Sequence, residues 1–438
     1  MNRLKQLWSI LRSSFWFLPS LIVTGSIVLA VALIGVDFTG SEQWLARWPR
    51  LFGVGADGAR GMLSTIAGSM MTVVGVTFSM VLMTLALASS QYTSRILRNF
   101  MSDRVTQIVL GVFAGIFIYC LIVLRTIRGG EDGVFVPGLA VSFSVVLAMS
   151  GIGILIFFIH HIAASIQASN IIASVADETM LVVDRLFPEK LGDGWVDEEE
   201  ANATPPPLPE HIWKAVPAKS NGYIQSMDNA ALLRLACENK TILRMEQAIG
   251  EFVVQGAALA SLALEKPPEK EIITALQAAY TIDRHRTVKQ DSAFGIRQIV
   301  DMALKALSPG INDTTTAVMC VDYLSAILAR LASRSIPPLH RYEEGELRVI
   351  TKGPSFESLL SDAFDQIRRN ANGNVTIFLR ILEALQILAG LPTGPRRRRA
   401  LFEQMQQIAE LAAHSVDSAH DRAKIEAHLM RLSIILKA

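Results

Sequence analysis

Cysteine is scarce in this sequence: Cys120, Cys237 and Cys320 stand at unrelated spacings, with no CxxC pair. Neither a disulfide framework nor a thiolate metal site is expected, and a reducing compartment suits the polar part of the chain. Charge is scarce too, at 18% Asp, Glu, Lys and Arg against 51% hydrophobic residues, an imbalance that points to a membrane. The 41 basic and 40 acidic side chains nearly cancel, so no overall field recruits nucleic acid. The GxxxxGK phosphate loop, the GxSxG elbow, HExxH and GxGxxG are all missing, so no enzyme activity, cofactor or metal is expected.

What the sequence does hold is four long apolar stretches, at about 15–36, 61–88, 105–127 and 138–162. Each is near the roughly 20 residues that a helix needs to cross a bilayer, and no later stretch compares with them. Before the first, Leu4, Leu7, Trp8 and Leu11 recur at helical spacing beside Arg3, Lys5 and Arg12. This predicts a short interfacial helix that enters the membrane at Phe15, Trp16 and Phe17. The N-terminus and the second loop hold Arg3, Lys5, Arg12, Arg95, Arg98 and Arg104, against Arg47, Arg50, Arg60 and Arg128 in the other two connections. The bias predicts a cytoplasmic N-terminus, and four spans then return the C-terminal region to the cytoplasm.

The second stretch carries a row of small and hydroxyl residues. At steps of three and four it presents Gly61, Thr65, Gly68, Thr72, Gly75 and Ser79, then Met83, with Ser64 and Ser69 beside them. Such a stripe packs helices closely in lipid. Several copies around an axis would instead line a narrow path with hydroxyls, with Met83 as a constriction. Both hold if the packing is between subunits. No ionisable residue lies in the central part of any span, which favours a passive path or a plain anchor over a coupled transporter. Gly111 and Gly115 in the third span have GxxxG spacing and predict a packing site.

The remainder reads as a cytoplasmic α+β region. Residues 166–210 form a helical connector, continuous with the fourth span, and then a proline-rich acidic linker. Residues 211–266 show short apolar runs between turn signals, a small β-rich module. Residues 267–438 are mainly helical, with "GELRVITKGP" as a strand or hairpin between helices. Arg284, His285 and Arg286, with Asn312 and Asp313 at a helix start, form a candidate anion site, though helix capping explains the same residues. Arg396, Arg397, Arg398 and Arg399 stand at a helix N-terminus against its dipole, so lipid headgroups, a neighbouring subunit or plain solvent are their expected contacts.

The stretches "SFWFLP" at 14–19, "LALASSQYTSRILRNFMSDRVTQ" at 85–107, "IFFIHHI" at 156–162 and "FGIRQIVDMALKALSPGIND" at 294–313 together carry a resemblance over nearly the whole chain. The sequence resembles a bacterial family known only as predicted membrane proteins with a domain of unknown function. The resemblance implies the four-span topology and a bacterial inner-membrane location, and no activity. The expected protein is a homo-oligomer in contact with membrane lipids: a passive channel for a small ion, gated or sensed by the cytoplasmic domain. The alternative is a membrane-anchored scaffold or signalling protein that binds a partner or small anion through that domain.

Overall fold

The structure, a computed structural model, describes residues 16–38, 55–91, 103–128, 135–187, 213–392 and 394–437. The expected interfacial helix before Trp16, the arginines at 47, 50, 95 and 98, and the proline-rich acidic stretch 188–210 lie outside the described residues. The chain divides into two compact units, Met1–Gln167 and Ala168–Ala438.

The first unit contains α1 (Phe17–Phe38), α2 (Ala56–Gln91), α3 (Arg104–Thr126) and α4 (Gly138–Ser165). All four are long and apolar enough to cross a membrane. Lipid offers the backbone no hydrogen bonds, so an apolar run of this length folds as helix. Helix α3 is the hub: α1, α2 and α4 each pack against it. Its buried residues, among them Val109, Phe113, Tyr119 and Val123, are spread around the helix. The GxxxG pair lets α1 in. A Cβ on Gly111 would stand 2.9 Å from the Pro19 Cα, and one on Gly115 would collide with the Ser26 hydroxyl.

Helix α4 stops at Ser165, and the second unit starts with α5 (Ala168–Leu186). The expected continuous helix is therefore broken. The Gln167 amide bonds back to Ala164, three residues away, at 3.2 Å, which tightens the last turn and ends the ladder. The apolar face of α5, with Ile171, Ile172, Val175 and Val183, is buried within its own unit.

Next come β1 (Trp213–Pro217), β2 (Gly222–Met227), α6 (Asn229–Glu238), β3 (Leu243–Met245), β4 (Phe252–Val253), β5 (Ala258–Ala263), α7 (Lys270–Ala278) and β6 (Tyr280–Asp283). The helical part follows: α8 (Ser292–Ala306), α9 (Thr314–Ala332), then β7 (His340–Glu343) and β8 (Glu346–Ile350), and α10 (Phe356–Asn370), α11 (Val375–Ala389), α12 (Pro395–Ser415) and α13 (Ala419–Lys437). One sheet has the order β1-β5-β3-β8-β7 and the other β4-β2-β6. All pairings are antiparallel except β3 with β8. The β-rich module thus takes β6, β7 and β8 from beyond residue 266, where its boundary is expected. With only three residues, β3 would expose an edge without β8 beside it.

Around α8 the helical part packs α5, α9 and α10. Helix α9 corrects one expectation, since it too is long and apolar enough to cross a membrane. Its apolar residues are used otherwise: Cys320, Val321, Leu324, Ile327, Leu328 and Leu331 are buried in the second unit.

Candidate functional site

The face of α2 that packs on α3 carries Ala59, Leu63, Ala67 and Met70, all in the core of the first unit. The hydroxyl stripe is on the other side. Thr65, Gly68, Ser69, Thr72, Gly75, Ser79 and Met83 are all exposed, Met83 over 66% of its surface. A Cβ added at Gly61, Gly68 or Gly75 would meet nothing within 4 Å. Among the described residues of the chain, the stripe therefore packs against no other helix.

Three of its hydroxyls are already committed as donors. Thr65 donates to the Gly61 carbonyl at 2.8 Å, Ser69 to Thr65 at 2.8 Å and Thr72 to Gly68 at 3.1 Å. Each bond satisfies the hydroxyl hydrogen inside the helix and leaves oxygen lone pairs as the group's remaining polarity. The result is a column of acceptor oxygens and small residues.

Polar side chains at the helix ends tie the first unit together. The Asp37 carboxylate accepts from the Leu139 and Ala140 amides at 3.3 and 3.2 Å, capping α4 where Pro137 offers no side-chain cap. Nearby, Arg60 donates to the Ile127 carbonyl beyond the end of α3 at 3.2 Å. At the opposite end of α3, Asp103 caps it through the Val105 and Thr106 amides and meets His161 Nε2 of α4 at 2.9 Å. The Asp103 cap was legible as an acidic residue just before an apolar run, but its partner 58 residues away was not.

In the second unit the five candidate anion-binding residues do not come together. Arg284, His285 and Arg286 precede α8, whereas Asn312 and Asp313 follow it. A helix of 15 residues separates them, about 22 Å at 1.5 Å per residue. Each group has a structural task. Arg286 grips Asp291 through Nε and Nη2 at 2.9 and 2.7 Å, while Asp291 caps α8 at the Phe294 amide. Gly250, at φ +85°, closes over this pair: a Cβ there would be 2.6 Å from the Arg286 guanidinium. Asn312 holds the left-handed turn at φ +49°, and Asp313 caps α9 through the Thr316 amide and hydroxyl. Those bonds hold the Asp313 carboxyl below its usual range. Arg284 and His285 remain exposed.

Asp291 is only 4% exposed, and this burial raises its carboxyl above the usual range although Arg286 opposes it. Ionising it therefore costs the fold stability as pH rises from the unfolded value to the folded one. Arg286→Gln should lower stability by about 2 kcal/mol, because a buried carboxylate loses its partner. The deficit should widen as pH rises above the folded value of the unaltered protein, where the unpaired carboxyl still resists ionisation. Thermal unfolding followed by circular dichroism at several pH values measures it.

The arginine run divides in the same manner. Arg397 is buried and donates to the carbonyls of Ala332 and Arg334 at 2.9 and 3.1 Å, so it serves the C-terminus of α9, where positive charge is favourable. Arg396 pairs with Glu357 and Arg399 with Glu403. Arg398 is partly buried. A further group that sequence reasoning missed joins α5 to α9: Asp184 accepts from Arg330 and pairs with Arg334.

Comparison with known proteins bears on the whole chain. The family described as "Predicted membrane protein (DUF2254)" matches residues 12–387. Uncharacterized protein Rv1290c of Mycobacterium tuberculosis (strain ATCC 25618 / H37Rv) is 32% identical over 440 residues, covering 97% of this chain and 81% of the relative. Uncharacterized protein Mb1321c of Mycobacterium bovis (strain ATCC BAA-935 / AF2122/97) is similar to the same extent. No solved structure matches.

Proposed function

We propose, for a chain that belongs to this family of predicted membrane proteins, that it works as a symmetric homo-oligomer in which copies of α2 surround a narrow passive path for small ions. In this reading, residues 168–438 act as gate or sensor. One observation carries it: the stripe from Thr65 to Met83 is turned away from the subunit's own core. The middle of the subunit is filled by Phe113, Tyr119 and Phe158, so a path along the stripe runs between subunits. Hydroxyls that donate into their own helix offer oxygens outward, which favours cations over anions. The bias of basic residues supports a cytoplasmic N-terminus and second unit, and the mycobacterial relatives support a bacterial inner-membrane location.

The test uses the full chain in liposomes. Potassium efflux should fall at least tenfold in Thr72→Leu and Gly68→Leu, while the assembled mass stays that of the unaltered protein. Variants that fail to assemble, together with an unaltered protein that passes no ions, would make the stripe a packing face only. The exposed pair Arg284 and His285 favours a second reading, a membrane-anchored scaffold or signalling protein that binds a partner or small anion through the second unit. Absence of flux with intact assembly would favour that one.

A further inference from the structure

A cavity of about 230 Å³ opens between the first turns of α6 and the five-stranded sheet. Leu233 of α6, Met245 of β3 and Val349 of β8 make its walls, which are almost wholly apolar, with Asn229 and Thr351 among the residues around them. Arg341 of β7 lines the same space. It stands directly opposite Val349 in the antiparallel register, so both side chains are on one face of the sheet.

Most arginines around this module are committed. Arg244 pairs with Glu246, Arg286 with Asp291, Arg297 with Asp301 and Arg348 with Glu346. Arg341 differs from all of these. Its Nε is buried and has no hydrogen-bond partner among the described residues. A guanidinium drawn into apolar surroundings costs free energy until its donors are used, and the group that uses them best is a planar carboxylate.

We propose that this cavity binds a small organic carboxylate: a monoanion whose charged end meets Arg341 and whose apolar body lies on Leu233, Met245 and Val349. One guanidinium calls for one negative charge, and the walls call for a ring or short chain in place of a second polar group. The proposal goes beyond the membrane path and stands whether or not the protein conducts ions.

The probe is 4-fluorobenzoate, observed by fluorine NMR with the purified full chain in detergent, and 4-fluorobenzyl alcohol is the uncharged control. The acid should bind saturably with Kd below about 1 mM, and Arg341→Gln should weaken it at least tenfold, consistent with the loss of a charge-assisted pair. Leu233→Trp, which fills the cavity and keeps the arginine, should abolish binding. Should Arg341→Gln unfold, as judged by circular dichroism, Leu233→Trp decides alone. Equal binding of the acid and the alcohol, binding unchanged in the folded variants, or no saturable binding would each overturn the assignment.

Discussion

Gly111→Val should leave the membrane unit unable to close, with a loss of about 1–3 kcal/mol typical of overpacking. The first atom of the new side chain would come within 2.9 Å of the Pro19 Cα and of the Ile22 Cδ1. A side-chain end can swing aside, but a backbone atom of α1 moves only with its helix. Gly68→Val is the matched control. It makes the same change of helix propensity in α2, where nothing among the described residues lies within 4 Å, so the single chain should tolerate it. Thermal unfolding of the detergent-solubilised monomeric fraction would measure both. Equal damage from the two substitutions would mean that the inward and outward faces have been assigned wrongly.

Asp184→Ala should weaken the second unit by about 2 kcal/mol, since it removes the carboxylate from two arginines at once. Arg330 donates to both Asp184 oxygens at 2.7 and 2.8 Å, and Arg334, only 8% exposed, approaches at 2.8 Å. Arg334 also donates to the Phe187 carbonyl, and its own carbonyl receives Arg397, so the loss spreads from α5 through α9 to α12. The hydrogen bond from Arg330 is the main reason that the Asp184 carboxyl lies below its ordinary range. A carboxyl with a lowered folded pKa stabilises fully above its unfolded value and stops doing so as pH falls through the folded one. The stability gap between the unaltered protein and Asp184→Ala should therefore close on acidification. A gap that stays constant down to the lowest pH would assign the effect to packing instead of charge.

What was legible in the sequence followed from local physics. A bilayer demands about 20 apolar residues, and four such runs are plain in the sequence, whereas α9 meets the same measure and spends its apolar residues inside the second unit. Asp291 and Asp313 announce helix starts because a short acidic side chain there satisfies free amides. The GxxxG spacing of Gly111 and Gly115 identifies a close helix contact, though not that α1 makes it. Other features depend on residues brought together from far along the chain. The parallel pairing of β3 with β8 joins Leu243 to Val349, and three residues of strand carry too little pattern to reveal it. Arg397 looked misplaced at the start of its own helix because the helix end it serves, at Ala332, lies 65 residues earlier. For α2, the stripe was legible and its direction was not, since a helix with two usable faces does not say which one its neighbours take.

The position of α3 as hub also sets a timetable. Helices α1 and α2 have little contact with each other, and both lean on α3, the third helix to be synthesised. Their main partner does not exist when they enter the bilayer, so the surface of α1 around Pro19, Ile22 and Ser26 must first be solvated by lipid chains. Insertion and packing become separate events, and the second waits on translation through Thr126. A chain truncated after residue 91 would be integrated yet unassembled, a candidate for quality-control proteolysis because it lacks the third helix that gathers the first two.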